Sequence, residues 1–309
     1  MGSTIVSILI VAVIVYLLRL TLKSKKEPKI DYSFGLVEAK DARELLLQKK
    51  YEELEFLILQ LNSDNLTQTI DHLALTLDKT YFTKWMEACN DQNVVKLCLG
   101  VHFLHEAWVV RTGATANKVS EKKANQFFEF LELSLEQLNS VSSSSKLISE
   151  VNSRLIRLYM GMGETELIHE CFQKAISKDK NILWPYLHYC NAIEPKWGGE
   201  IELLTELQNN LPKVSIIQYL IELKIILDSF GVNENYFGGT MEELNEKAKL
   251  SLEQIDNKIS ITPLTSIHKY VVYGYLYSIA LNVSNKKLEK KYKGMMNGNY
   301  ALFPFGIMK

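Results

Sequence analysis

The chain has 309 residues, with 35 Lys and Arg against 36 Asp and Glu and a formal net charge of −1 at pH 7. Five of the basic groups and one acidic group lie in the first 30 residues, which leaves 30 basic against 35 acidic in the remainder. That balance, with no basic stripe, excludes the electrostatic footprint of a nucleic-acid binder.

Thr4 to Leu22 reads TIVSILIVAVIVYLLRLTL, with Arg19 as its one charge. At about 1.5 Å per residue this helix is roughly 28 Å long, close to the ~30 Å hydrocarbon core of a bilayer. Residues 1–22 are therefore expected to form a single-pass transmembrane anchor. A cleaved signal peptide would start with basic residues and end at a small-x-small site, and neither is present. Val6 stands where a myristoylation motif needs Ser or Thr. Lys23, Lys25, Lys26 and Lys29 follow the apolar run at once. The positive-inside rule then places the large domain in the cytoplasm, at the inner membrane. Residues 23–36, KSKKEPKIDYSFGL, read as a charged tether.

Beyond the tether the periodicity is helical nearly throughout, with only six prolines in the chain. Glu38 to Gln48 carries Ala42, Leu45 and Leu46 on one stripe, and Tyr51 to Leu61 carries Leu54, Leu57, Ile58 and Leu61. Further helices are predicted near 66–79, 81–89, 93–110, 120–139, 146–160, 164–177, 181–192, 200–210, 213–229, 240–257 and 264–283, with no alternating strand pattern. Val141 to Ser145 reads as a flexible joint between an N-terminal helical part, 37–140, and C-terminal repeats with a capping tail, 146–309.

The fold class read from this pattern is all-α: stacked helical hairpins of tetratricopeptide-like type behind the anchor. Leu147 to Ile176 resembles one such unit, turning at Met160-Gly161-Met162-Gly163. Trp197-Gly198-Gly199-Glu200-Ile201-Glu202 is echoed 40 residues later by Phe237-Gly238-Gly239-Thr240-Met241-Glu242. Thr240 with Glu243 forms a capping box. Cys89, Cys98, Cys171 and Cys190 lack C-x-x-C spacing and read as small buried hydrophobes in a reducing compartment. Tyr270, Tyr273, Tyr275 and Tyr277 read as a packed helix face with phenol tips at solvent. The apolar tail from Asn299 to Phe305 is expected to fold back and cap the array.

His105-Glu106-Ala107-Trp108-Val109-Val110-Arg111-Thr112-Gly113 resembles the Ala-Trp-x-x-Arg-Gly signature of a bacterial family of unknown function. Pro195-Lys196-Trp197-Gly198-Gly199 resembles that family's Pro-Lys/Arg-Trp-Gly-Gly-Ser segment, and Tyr51-Glu52-Glu53-Leu54-Glu55 its N-terminal hairpin. The resemblance spans roughly residues 40–300. Thr112 intrudes between the Arg and the Gly, and Glu200 replaces the Ser, a better helix N-cap. The resemblance implies a helical, tetratricopeptide-like domain and no established activity.

Each motif has a packing reading and a binding reading. Pro195 ends a helix, Trp197 wedges between helices, and Gly198 and Gly199 permit positive φ and close approach. Alternatively, an exposed Trp197 beside free backbone N–H groups would bind an anion or a peptide terminus. Trp108 and Arg111 share a helix face, where Arg111 braces a loop or receives a carboxylate or phosphate. His102, His105 and Glu106 lie at i, i+3 and i+4, but in neither metalloprotease order. Phosphate-loop, dinucleotide-fold and nucleophile-elbow motifs are absent, so no catalytic residue and no cofactor is assigned. The function expected is a membrane-anchored scaffold that binds a protein or peptide in a concave groove through Trp108, Arg111, Trp197, Gly198 and Gly199. The alternative is an enzyme or small-ligand receptor with a site around Arg111 and His102/His105.

Overall fold

A computed structural model describes residues 29–112, 118–143, 145–211, 215–231, 239–260, 262–296 and 299–300. The anchor, most of the tether, Phe237 and Gly238 of the echo, and the tail from residue 301 lie outside these. Among the described residues no helix is long and apolar enough to cross a membrane.

Fourteen α-helices follow in chain order. They are α1 (Val37–Leu47), α2 (Tyr51–Gln60), α3 (Ser63–Thr76), α4 (Lys79–Ala88), α5 (Asn93–Arg111), α6 (Glu121–Asn139) and α7 (Ile148–Met162). The second half holds α8 (Thr165–Ile176), α9 (Leu183–Ala192), α10 (Ile201–Asn210), α11 (Ile216–Gly231), α12 (Met241–Ser260), α13 (Ser266–Asn282) and α14 (Lys286–Met295). Odd-numbered helices touch in succession from α1 to α13 and form an inner row, against which the even-numbered helices pack from outside. This is the stacked-hairpin plan, and its local signals follow the sequence. Asn62, Asp78, Ser120 and Thr265 cap helices through their side chains. Thr240 and Glu243 complete the reciprocal capping box. Gly163, at φ +79°, ends α7 in the left-handed conformation.

Two glycines let α6 lie tightly against α5 and α7. A Cβ at Gly100 would fall 2.9 Å from Leu138, and one at Gly161 would fall 2.9 Å from both Leu131 and Phe127. The serine-rich joint does not interrupt the stack. The Ser142 N–H donates to Asn93 Oδ1 at 2.7 Å, and α7 packs on both α5 and α6.

The inner row curls until its ends meet, so that α3 touches α9 and α13 as well as α5. The Phe34 ring stacks on Tyr270 at 5.5 Å and tilts against Trp184 at 6.0 Å. Asp64 Oδ1 accepts the Leu183 N–H at 2.9 Å, its Oδ2 lies 3.2 Å from His268 Nε2, and its carbonyl accepts the Trp184 indole N–H at 3.3 Å. Gln68 donates to the Tyr32 carbonyl at 2.8 Å. A two-residue parallel ladder, β1 (Lys29–Ile30) with β2 (Asn299–Tyr300), joins the two ends of the chain. The described part of the tail thus pairs with the tether, where the sequence led to capping of the last helices. With the row closed, α3, α7, α9 and α13 are buried on most of their circumference. Tyr275 is accordingly 1% exposed, so its phenol lies in the core and not at solvent. Cys98, Cys171 and Cys190 are buried free thiols and Cys89 is partly buried.

If Asp64 holds the closure, Asp64→Ala should lower stability by about 1–3 kcal/mol, since it strands the Leu183 N–H and unpairs His268. Chemical denaturation reads this directly, and an unchanged midpoint would show that the closing contacts contribute nothing.

Candidate functional site

The two aromatic motifs, far apart in sequence, meet in space. Trp108 lies in the last turns of α5. Trp197 lies in a short 3₁₀ turn, Pro195–Trp197, after α9. Their rings meet edge to face, with centroids 5.3 Å apart and planes at 88°. The Arg111 guanidinium sits 5.8 Å over the Trp197 ring, and the Arg157 guanidinium, from α7, sits 5.7 Å over the Trp108 ring. Phe127 of α6 meets Trp108 edge to face at 5.4 Å. Cations over indole faces and T-shaped ring pairs are each favourable geometries. The cluster is half-buried, and Val109 (65% exposed), Thr112, Lys196 and Gly198, next to its members in the chain, are exposed.

The Trp-Gly-Gly turn is built by packing. Gly198 has φ +88°, a region that side chains avoid. A Cβ on Gly199 would sit 2.0 Å from the Ile193 carbonyl oxygen, so the backbone leaves no room for any other residue. The Trp197 and Gly199 N–H groups donate to the Glu194 carbonyl and the Gly198 N–H to Pro195. These three N–H groups are satisfied within the turn. Glu200 caps α10 without a side-chain hydrogen bond.

Beneath the turn lies an ion cluster. Lys224 of α11 is 2% exposed, donates to Glu194 at 2.6 Å and pairs with Asp228. Lys196 reaches the same Glu194 carboxylate at 2.5 Å. Burial pushes the Glu194 carboxyl up, whereas the Asp228 and Glu194 carboxylates overcome burial and hold Lys224 well above its usual value.

A second buried network lies on the other side of Arg157. Arg154 is 0% exposed. It donates to Asp71 and Glu150, each at 2.6 Å, and to the Thr67 carbonyl at 2.9 Å, while the Thr67 hydroxyl donates to Glu150 at 2.5 Å. His105 Nε2 lies 2.7 Å from Asp71. Burial penalises the Asp71 carboxylate, but Arg154 and His105 overcome it and hold its pKa well below the ordinary value. Burial lowers His105 despite Asp71, raises Glu150 despite Arg154, and pushes Arg157 down to about 10.

The structure thus brings Trp108, Arg111, Trp197, Gly198 and Gly199 to one place. His102 and His105 lie on the same helix but face α3, where His102 Nδ1 is 2.9 Å from the Ala74 carbonyl oxygen. Among the described residues no group of three His, Cys, Asp or Glu is placed to hold a metal ion. Sequence reasoning did not find Phe127, Arg157 or the two ion networks. A signal for the networks exists. Glu150 with Arg154 and Lys224 with Asp228 are i, i+4 opposite-charge pairs set in otherwise apolar helices. The protein-family models, the curated proteins and the solved structures contain no match to this chain.

The buried histidines give a pH dependence. Burial lowers His72 and His105, and sets His188 well below the usual 6.5, so each is neutral in the fold. The unfolded chain takes up these protons first as pH falls through 6.5, and stability is lost below that value. The melting temperature should therefore drop between pH 7 and pH 5, and His188→Asn should flatten the slope. A flat wild-type profile would show that these imidazoles titrate alike in the folded and unfolded chain. The indole pair is tested by a double-mutant cycle of Trp108→Phe and Trp197→Phe, with an expected coupling of about 0.5–1.5 kcal/mol. Strict additivity would show that the rings do not interact.

Proposed function

We propose that the chain is a membrane-anchored helical-repeat scaffold that binds a protein or peptide partner at the cytoplasmic face of the membrane. Nineteen consecutive, nearly uncharged residues from Thr4 to Leu22 support the anchor, and the lysines that follow support its orientation. The observation that carries the binding reading is the convergence of Arg111, Trp197 and Trp108 into one half-exposed stack, with exposed Val109 next to Trp108 in the chain. Rigid aromatic and Arg side chains are the residues that carry most binding energy at protein interfaces. The inner row closes on itself, so a partner docks on this outer rim at the α5 end, not in a concave groove. His102 and His105 are hydrogen-bonded into the interior, which favours the scaffold over the ligand-receptor alternative.

Crosslinked capture from native membranes tests this, with wild type against Arg111→Ala and Val109→Asp variants that melt like wild type. One near-stoichiometric partner should be captured by wild type and lost by at least tenfold with either variant. Equal capture by all three would overturn the assignment of this rim. A reporter fused after Lys309 should be active only in its cytoplasmic form, and activity of a periplasmic reporter would reverse the orientation.

A further inference from the structure

The last helix carries a surface that the scaffold reading leaves unused. Helix α14 reads KKLEKKYKGM, with Lys286, Lys287, Lys290, Lys291 and Lys293 all exposed. Five lysines in ten residues form a basic stripe where the overall charge balance indicated none, in a domain that is otherwise acidic. Its inner stripe is Leu288, Tyr292 and Met296, with Tyr292 0% and Met296 3% exposed. At 3.6 residues per turn the five lysines fall on an arc of roughly 160° opposite that stripe. Two of them have acidic partners, Lys286 with Glu289 at 2.8 Å and Lys291 with Asp256 at 2.5 Å. Lys287, Lys290 and Lys293 make no ion pair among the described residues. Gly294 lies within the lysine arc, and a Cβ there would meet nothing within 4 Å. Packing therefore does not require that glycine, although it weakens the helix. A bare backbone at the centre of the arc lets the helix lie close to a flat charged surface.

Position in the fold identifies that surface. Asn299, six residues beyond Lys293, pairs with Lys29 across the β1–β2 ladder. Lys29 is in turn seven residues from Leu22, the end of the apolar run. An extended chain covers at most about 3.6 Å per residue, so each link is no longer than roughly 25 Å. The ladder thus ties the basic helix to the point where the chain would leave the bilayer.

We infer that α14 is an electrostatic contact for anionic phospholipid headgroups, which seats the domain against the membrane that anchors it. The inference rests on the proposed anchor. Lys287, Lys290 and Lys293 supply the free charges for this contact, and each lysine near an anionic leaflet strengthens attachment about fivefold. The contact fixes the orientation of the repeat domain on that surface.

The full chain, reconstituted in vesicles of phosphatidylcholine alone or with an equal part of phosphatidylglycerol, provides the test. Acetylation of each lysine is followed by mass spectrometry. Lys287, Lys290 and Lys293 should react at least fivefold more slowly on the anionic vesicles, and recover near 1 M salt, where screening acts over about 3 Å. Lys122, on the outer helix α6, should react equally in both. In a Lys287→Gln, Lys290→Gln, Lys293→Gln variant with wild-type melting, Lys286 and Lys291 should lose their dependence on lipid composition. Equal rates on both vesicles, for protein that floats with both, would overturn the α14 contact and leave the anchor standing. Failure to float with pure phosphatidylcholine would overturn the anchor. In that event flotation with the anionic vesicles alone, lost in the triple variant, would sustain the contact, and its absence would end it.

Discussion

The structure depends on one buried cation. Arg154 has no solvent contact, and it donates to Glu150 of its own helix and to Asp71 and the Thr67 carbonyl of α3. His105 of α5 shares Asp71. A charge in this setting is stable only if its hydrogen-bonding capacity is met, and the desolvation that burial imposes exceeds the gain from one partner. Three successive members of the inner row must therefore sit in one register for Arg154 to be tolerated. A hydrophobic core alone would permit the helices to slide. The network makes sliding expensive, and it leaves α3 at a fixed angle to the rest of the row.

That angle is what closes the molecule. With α3 held against α5 and α7, its opposite side meets α9 and α13, where Asp64 satisfies Leu183, Trp184 and His268 together. Solenoids ordinarily present a concave surface because each repeat turns by a small rotation from the last. Here the rotation is large enough that the surface is filled by the protein's own helices. Burial of the inner helices on most sides follows, and so do the weak amphipathic patterns of α9 and α13, which are apolar nearly all round. The outer helices keep one polar face and read clearly as amphipathic.

Local features were therefore legible in the sequence and long-range ones were not. Glycine at 163 and the Thr240–Glu243 box announce helix ends, because capping is a matter of a few residues. Gly198 and Gly199 were legible as a backbone demand, and the structure supplies both reasons, a positive φ and the Ile193 carbonyl. Trp108 and Trp197 were singled out separately, but nothing local says that one touches the other. The joining of α5 to the α9–α10 turn is set by the packing of the three intervening helices, α6, α7 and α8. Helix α14 was not predicted, since Leu288 and Tyr292 are too sparse an apolar stripe to compete with five lysines in any periodicity count. The groove was expected from the fold class, and its closure depends on Arg154 and Asp64, residues whose role is visible only once their partners are known.

Closure also constrains where function sits. A repeat protein with an open interior recognises its partner along many repeats, and affinity accumulates over a long surface. This chain has used that surface for its own stability, so the proposed recognition falls on rims and outer helices. At the α5 end, two ion networks flank the indole pair and leave its rings little freedom to rearrange. Binding energy at such a point comes from preorganisation: little side-chain entropy remains to be lost when a partner arrives. At the opposite end, where Lys29–Ile30 and Asn299–Tyr300 pair through β1 and β2, α14 bears exposed lysines and no aromatic anchor. The two regions suit different partners, a shaped one that needs fixed geometry and a diffuse, charged one that does not. One compact domain can then hold to a surface by one end and present a rigid aromatic rim at the other.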